Sequence, residues 1–170
     1  MKKTFAVLNR MVADGAIDNY ALAGAVGAMF YVEPFSTRDI GVLMVIPETE
    51  GKLIAELPGW KYLSSRGYSE IRGDGIVVEG WPVQFLPVSN PLEDEAYLNA
   101  SDQTLDDVQV RVLQPEHLVA IMLRTGRLKD HARIQMFLSQ DVINSEVLDD
   151  ILQRHDLDGK WSDFRDRFLS

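Results

Sequence analysis

The chain contains no cysteine. That absence excludes a disulfide framework, thiolate zinc sites and a cysteine nucleophile. It fits a reducing compartment, and the cytoplasm is the expected location. Long apolar runs are missing too. None reaches the roughly 20 residues needed to cross a bilayer, so no membrane partner is expected. Asn9 and Arg10 interrupt the apolar residues that follow Met1-Lys2-Lys3, which argues against a secretory leader. Basic charge is scarce: 17 Lys and Arg stand against 26 Asp and Glu, a formal net charge of −9. Such a surface repels phosphate backbones as a whole, although a local basic patch can still hold a nucleotide. His117, His131 and His155 share no metal-ligand spacing, and each reads as an exposed helical side chain. A Walker A loop, a Rossmann glycine fingerprint and a Gly-x-Ser-x-Gly elbow are all absent.

What is present describes one globular domain of the α/β (α+β) class. The 170 residues are 46% hydrophobic and 25% charged, enough for a real core. Phe5, Leu8, Met11 and Val12 recur at helical spacing, predicting a helix over 3–14. A short strand at Tyr20–Ala23 precedes the small-residue segment opened by Gly24 and Gly27. Ile40 to Ile46 is almost unbroken apolar chain and reads as a strand buried on both faces. Residues 50–64 follow as a helix interrupted by Pro58-Gly59. Arg72-Gly73-Asp74-Gly75 marks a hairpin turn, and Val83–Leu86 a further strand. Asn90-Pro91-Leu92-Glu93 carries an N-cap, a first-position proline and a third-position acid, predicting a helix over about 91–100. Val108, Val110 and Val112 alternate as in a half-buried strand. From Pro115 the pattern turns helical, with apolar stripes at Leu118–Met122, Ile134–Leu138, Val147–Leu152 and Trp161–Phe168. The expected order is a mixed sheet with flanking helices over 1–113, then C-terminal helices over 114–170 packed on it, all within one domain, 1–170.

One stretch points to chemistry. Gly24-Ala25 opens a small-residue helix, and Ser36, Thr37 and Asp39 stand at the mouth of the apolar strand. Backbone N–H groups at a helix start attract phosphate. A carboxylate at the adjacent strand end can hold Mg²⁺ against that phosphate. The plain reading is that the glycines permit close packing and that Asp39 caps a turn. Arg124, Arg127, Lys129, His131 and Arg133 form a second candidate, a basic cluster. It reads either as a triphosphate cradle or as a solvated face pairing with Asp130. Met122 reads as core. Trp81, after a turn beside the proposed cleft, is placed either to stack on a base or to pack.

These motifs resemble the nucleotidyltransferase superfamily, in the branch of small bacterial proteins related to AbiEii-type toxins. Gly24-Ala25 stands where that family has its Gly-Gly or Gly-Ser pair. Asp39-Ile40-Gly41 stands at its Asp-x-Asp strand. Gly80-Trp81-Pro82-Val83-Gln84-Phe85-Leu86 resembles the strand carrying a third carboxylate, and Arg127-Leu128-Lys129-Asp130 a basic helical motif. The likeness runs from about Tyr20 to Leu138. It implies a nucleotidyltransferase-like mixed sheet, an NTP ligand, and Mg²⁺ held by Asp39 as catalytic metal ligand. It also implies phosphate binding by Gly24, Ala25, Ser36, Thr37, Arg127 and Lys129. The acidic motif is degenerate, because Gly41 and Gln84 stand where the family has carboxylates. Asp74, Glu79 and Glu48 are the acids that would have to compensate. Two readings follow. One is a transferase moving a nucleoside monophosphate from an NTP to a hydroxyl of RNA, protein or a small molecule. The other is an inactive binding or regulatory module with a protein partner, including a toxin–antitoxin role.

Overall fold

A computed structural model of the chain describes residues 1–46 and 58–169. The strands are β1 (Ala21–Ala23), β2 (Ile40–Met44), β3 (Ile71–Arg72), β4 (Gly75–Val78), β5 (Trp81–Pro87), β6 (Ser101–Leu105) and β7 (Val108–Val112). They form one mixed sheet in the order β3-β4-β5-β2-β1-β7-β6. The apolar run at Ile40 thus takes the central place, as its burial on both faces requires. It pairs in parallel with β5 and antiparallel with β1, while β1 pairs in parallel with β7.

Strand alternation sorts the core into two layers. Ile40, Val42 and Met44 point to one face, where they meet Val83 and the apolar stripe Phe5, Leu8 and Met11 of α1 (Lys2–Ala13). Leu63 of α3 (Pro58–Ser65) closes the same side. Leu43, Ala21 and Ala23 point to the other face. There they meet α4 (Pro91–Leu98), α5 (Pro115–Thr125), α6 (Leu128–Ser139), α7 (Ser145–Arg154) and α8 (Asp158–Phe168). The four C-terminal helices match the four apolar stripes of the sequence. The helix expected over 50–64 lies partly outside the described residues, and its described part, Pro58–Ser65, runs as continuous helix through Pro58-Gly59.

Local chemistry fixes two junctions near the cleft described below. Asn90 caps α4 by accepting from Glu93 N–H at 3.1 Å, while the Glu93 carboxylate accepts from Ser89 N and Oγ at 2.9 and 2.8 Å. The chain also passes from β1 into α2 (Gly24–Ala28) with no intervening loop. Gly24 makes that turn at φ +57°, a left-handed conformation that favours glycine. At Gly27 a Cβ would lie 2.8 Å from the Leu22 carbonyl oxygen, so only glycine lets α2 sit this close to β1.

One strand, β6, has no counterpart in the sequence reading. Ser101-Asp102-Gln103-Thr104-Leu105 has no buried residue, because it is the edge of the sheet and pairs only with β7. Polar residues suit an edge that must not recruit another strand.

Replacing Gly27 with Ala should cost about 1–3 kcal/mol of stability in urea denaturation, since backbone must shift. Gly41→Ala should cost little, because its Cβ would meet Ala23 O and Leu86 Cδ1 at an ordinary 3.5 Å.

Candidate ligand-binding cleft

The parallel register of β2 and β5 sets Ile40 beside Val83 and Gly41 beside Gln84. Gly41 and Gln84 face the helical side of the sheet. Above them opens a cleft of about 380 Å³. Its sheet wall comprises Ala23, Gly24, Ala25, Asp39, Gly41 and Gln84. Its helical wall includes Met122, Thr125, Arg127, Lys129 and Arg133. The volume lies within the roughly 300–1,000 Å³ of small-molecule sites.

Of the residues singled out in the sequence, Gly24, Ala25, Asp39, Gly41, Gln84, Arg127 and Lys129 therefore meet around one hollow. Ser36 and Thr37 do not line it. The Thr37 hydroxyl instead donates to the Asp39 carbonyl oxygen at 3.1 Å, closing the turn into β2. Trp81 packs on the opposite face of the sheet, with the α1 layer, so it cannot stack on a ligand in the cleft. Met122, in the helical wall of the cleft, is buried and packs in the core.

The basic cluster divides. Arg124 donates to Asn90 Oδ1 at 2.7 Å, and the His131 ring packs 5.7 and 5.0 Å from Phe164 and Phe168. Arg127 and Arg133 converge on Asp130, which is fully buried. Arg127 Nε donates to Asp130 Oδ2 at 2.6 Å, and Arg133 Nη1 to Oδ1 at 3.2 Å. A buried carboxylate holding two guanidiniums fixes their positions in the cleft wall. Arg133 is only 12% exposed and lies over the Phe35 ring at 5.1 Å. Burial pulls its guanidinium below the ordinary value, against the attraction of Asp130 and Asp39. Lys129 is exposed on the cleft rim and makes no hydrogen bond or ion pair among the described residues. Arg133 was named in the sequence only as part of the basic cluster. The signal for its role was Asp130 placed three residues from an arginine on each side.

Does this set fit Mg²⁺? The ion needs near-octahedral oxygen ligation with one or two carboxylates. Asp39 supplies one carboxylate, and its strand neighbours on the same face are Gly41 and Gln84. Glu93 also lines the cleft, but Ser89 engages it. Asp74 lines an adjoining hollow with Asp39, Arg38 and Arg72, and Glu79 is bonded to the Tyr68 hydroxyl. Glu48 lies outside the described residues. Among the described residues no three His, Asp or Glu side chains are grouped to hold a metal. With Arg133 beside Asp39 the wall already carries fixed positive charge. Among the described residues, the set around Asp39 does not fit a divalent ion.

The histidines correct the sequence reading. His117 is buried, and its Nε2 lies 3.0 Å from Glu95 Oε1. His155 Nε2 lies 2.8 Å from Glu95 Oε2. Arg154 binds both Glu95 oxygens and also donates from Nε to Asp150 at 2.8 Å. Helical periodicity could not show that Glu95 of α4 inserts between α5 and α7. Arg154, and then His155 and His117, hold the Glu95 carboxyl well below the usual carboxylate range, against the opposing effect of burial.

No protein-family model matches the chain, and no curated protein is significantly similar to it. Among solved structures it is similar to an antigenic nucleotidyltransferase-like protein from Paracoccidioides brasiliensis. The TM-score is 0.54 at 15% identity, over 94% of this chain and 92% of that one. A further likeness is to the Megavirus polyadenylate synthase, with TM-score 0.45 and 14% identity, over 82% of this chain and 32% of that one. The first comparison gives the fold: a nucleotidyltransferase-like mixed sheet with flanking helices.

A group whose folded pKa is depressed stabilises above its unfolded pKa and loses that effect as pH falls through the folded value. Glu95→Gln should therefore cost on the order of 2 kcal/mol near neutral pH. The gap between variant and parent should narrow once pH drops below about 4.3, the ordinary glutamate value. Urea denaturation between pH 7 and pH 3 measures it.

Proposed function

We propose that this nucleotidyltransferase-like fold is a binding module for a phosphate-bearing ligand, with a nucleoside triphosphate as the leading class. The observation that carries this reading is the Gly41–Gln84 pairing. It sets a glycine and a neutral amide where a two-metal transferase needs anions to hold its ions. The opposite wall supplies what a phosphate requires instead. Arg127, Arg133 and Lys129 stand on one wall, while Glu93 is engaged by Ser89, and the two arginines are held in place by the buried Asp130 carboxylate. Guanidinium suits phosphate because its N–H fork matches two oxygens at once. Lys129 adds an exposed charge at the rim. The Gln84 amide offers both a donor and an acceptor to a ligand on the cleft floor.

Thermal denaturation in EDTA with each of the four common nucleoside triphosphates tests the reading. Ligand at ten times its Kd should raise stability by about 1.4 kcal/mol, or about 3–6 °C in a chain of this size. Lys129→Glu should abolish the shift. A shift that appears only with Mg²⁺, accompanied by pyrophosphate release, would overturn the reading in favour of the transferase.

Gly41→Asp probes the same point from the other side. The cleft has room for the new Cβ. Two carboxylates would then stand two residues apart on one face of the strand, and isothermal titration should detect Mn²⁺ or Mg²⁺ binding stronger than the parent's. A folded variant with no metal response would mean the cleft is remodelled beyond positions 41 and 84.

A further inference from the structure

We infer that the groove between α1 and α3, on the sheet face opposite the cleft, binds single-stranded nucleic acid through its phosphates. The proposal is independent of the cleft reading. Lys3, Ala6, Val7 and Arg10 follow at i, i+3, i+4 and i+7, so they form one stripe of α1. The opposite stripe, Thr4, Phe5, Leu8 and Met11, is buried. Tyr62 and Arg66 face this stripe from the C-terminal end of α3, and Tyr68 and Glu79 close the groove, whose volume is about 410 Å³.

Charge is distributed unevenly enough to permit this. Residues 1–72 carry eight Lys and Arg and eight Asp and Glu, so the whole acidic excess falls in 73–170. Neither α1 nor α3 contains an acid. Lys2, Lys3, Arg10 and Lys61 are exposed and make no hydrogen bond or ion pair among the described residues. The two acids that border the groove are engaged. Asp14 accepts from the Tyr62 hydroxyl at 2.6 Å and from Arg66 at 2.9 Å, and Glu79 accepts from the Tyr68 hydroxyl at 2.7 Å.

The tyrosines choose between polyanions. An acidic polypeptide asks only for cations. A single strand also offers bases, which stack on aromatic rings and on arginine planes. Both phenol rings are anchored through their hydroxyls, and the Arg66 guanidinium lies 4.7 Å over the Tyr62 ring. The groove therefore presents the Tyr68 ring and the Arg66–Tyr62 stack beside exposed cations, an arrangement that suits a single strand.

Fluorescence anisotropy of a labelled 12-residue oligouridylate with the full chain tests the proposal. Four phosphate contacts predict affinity falling about 50-fold between 50 and 200 mM salt. The double variant Lys3→Glu/Arg10→Glu should bind at least tenfold more weakly and keep the parent's melting temperature, since both side chains are exposed and unpaired. Tyr68→Leu should weaken binding at least fivefold. Absence of binding at 50 mM salt would overturn the proposal, as would equal affinity in both variants. Poly-L-glutamate competing as well as the oligonucleotide, charge for charge, would overturn it in favour of an acidic protein partner.

Discussion

The pairing of β2 with β5 governs the rest of this molecule. Parallel strands hydrogen-bonded from Ile40–Val83 to Met44–Pro87 cannot slip by one residue without turning Ile40, Val42 and Met44 out of the α1 layer. The hydrophobic pattern therefore fixes which side chains face the cleft. Once Ile40 and Val42 are committed to one core, Gly41 and Gln84 must face the other side, and Asp39 must stand at its edge. The chemistry of the cleft follows from burial elsewhere. Its floor is mostly small and apolar around Gln84, with Asp39 at the edge, and its positive charge is concentrated in the helical wall.

That wall depends on a single buried carboxylate. Asp130 has no exposure, so its charge is compensated almost entirely by Arg127 and Arg133. A buried acid with one partner would be costly. With two it becomes a strut that locks the α5–α6 junction and aims two guanidiniums. The Glu95 cluster does comparable work farther out, tying α4, α5 and α7 through His117, His155 and Arg154. The Asp130 strut falls within the Arg127-Leu128-Lys129-Asp130 stretch singled out in the sequence, whereas the Glu95 cluster falls in none. The first braces the start of α6, and the second joins three helices of the layer to one another.

Much of the fold was legible in the sequence because single segments carried unambiguous signals. The apolar run at Ile40, the cap at Asn90-Pro91 and the four C-terminal stripes each needed no tertiary information. Polar strand β6 was invisible because an edge strand has no buried face to mark it. The site was legible in its members but not in its geometry. Spacing brought Asp39 and Gly41 together. The neighbouring Gln84 came through family resemblance, since register between distant strands leaves no local trace. Ser36 and Thr37 failed as cleft residues because the turn into β2 uses Thr37 for its own closure. The histidines failed because helical periodicity reports how a side chain lies on its own helix, not which neighbour reaches it.

The contact between Gly27 and the Leu22 carbonyl has a consequence for how such a scaffold can diversify. With backbone pressed against backbone at 2.8 Å from any added carbon, the sheet side of the cleft is closed to ordinary amino-acid exchange near α2. Room to alter ligand preference then lies at Gly41, where a Cβ meets ordinary contacts, and across the gap on α6, where Lys129 is exposed. The strand-to-helix turn is the inherited part, and descendants of this chain should differ at those positions before they differ there.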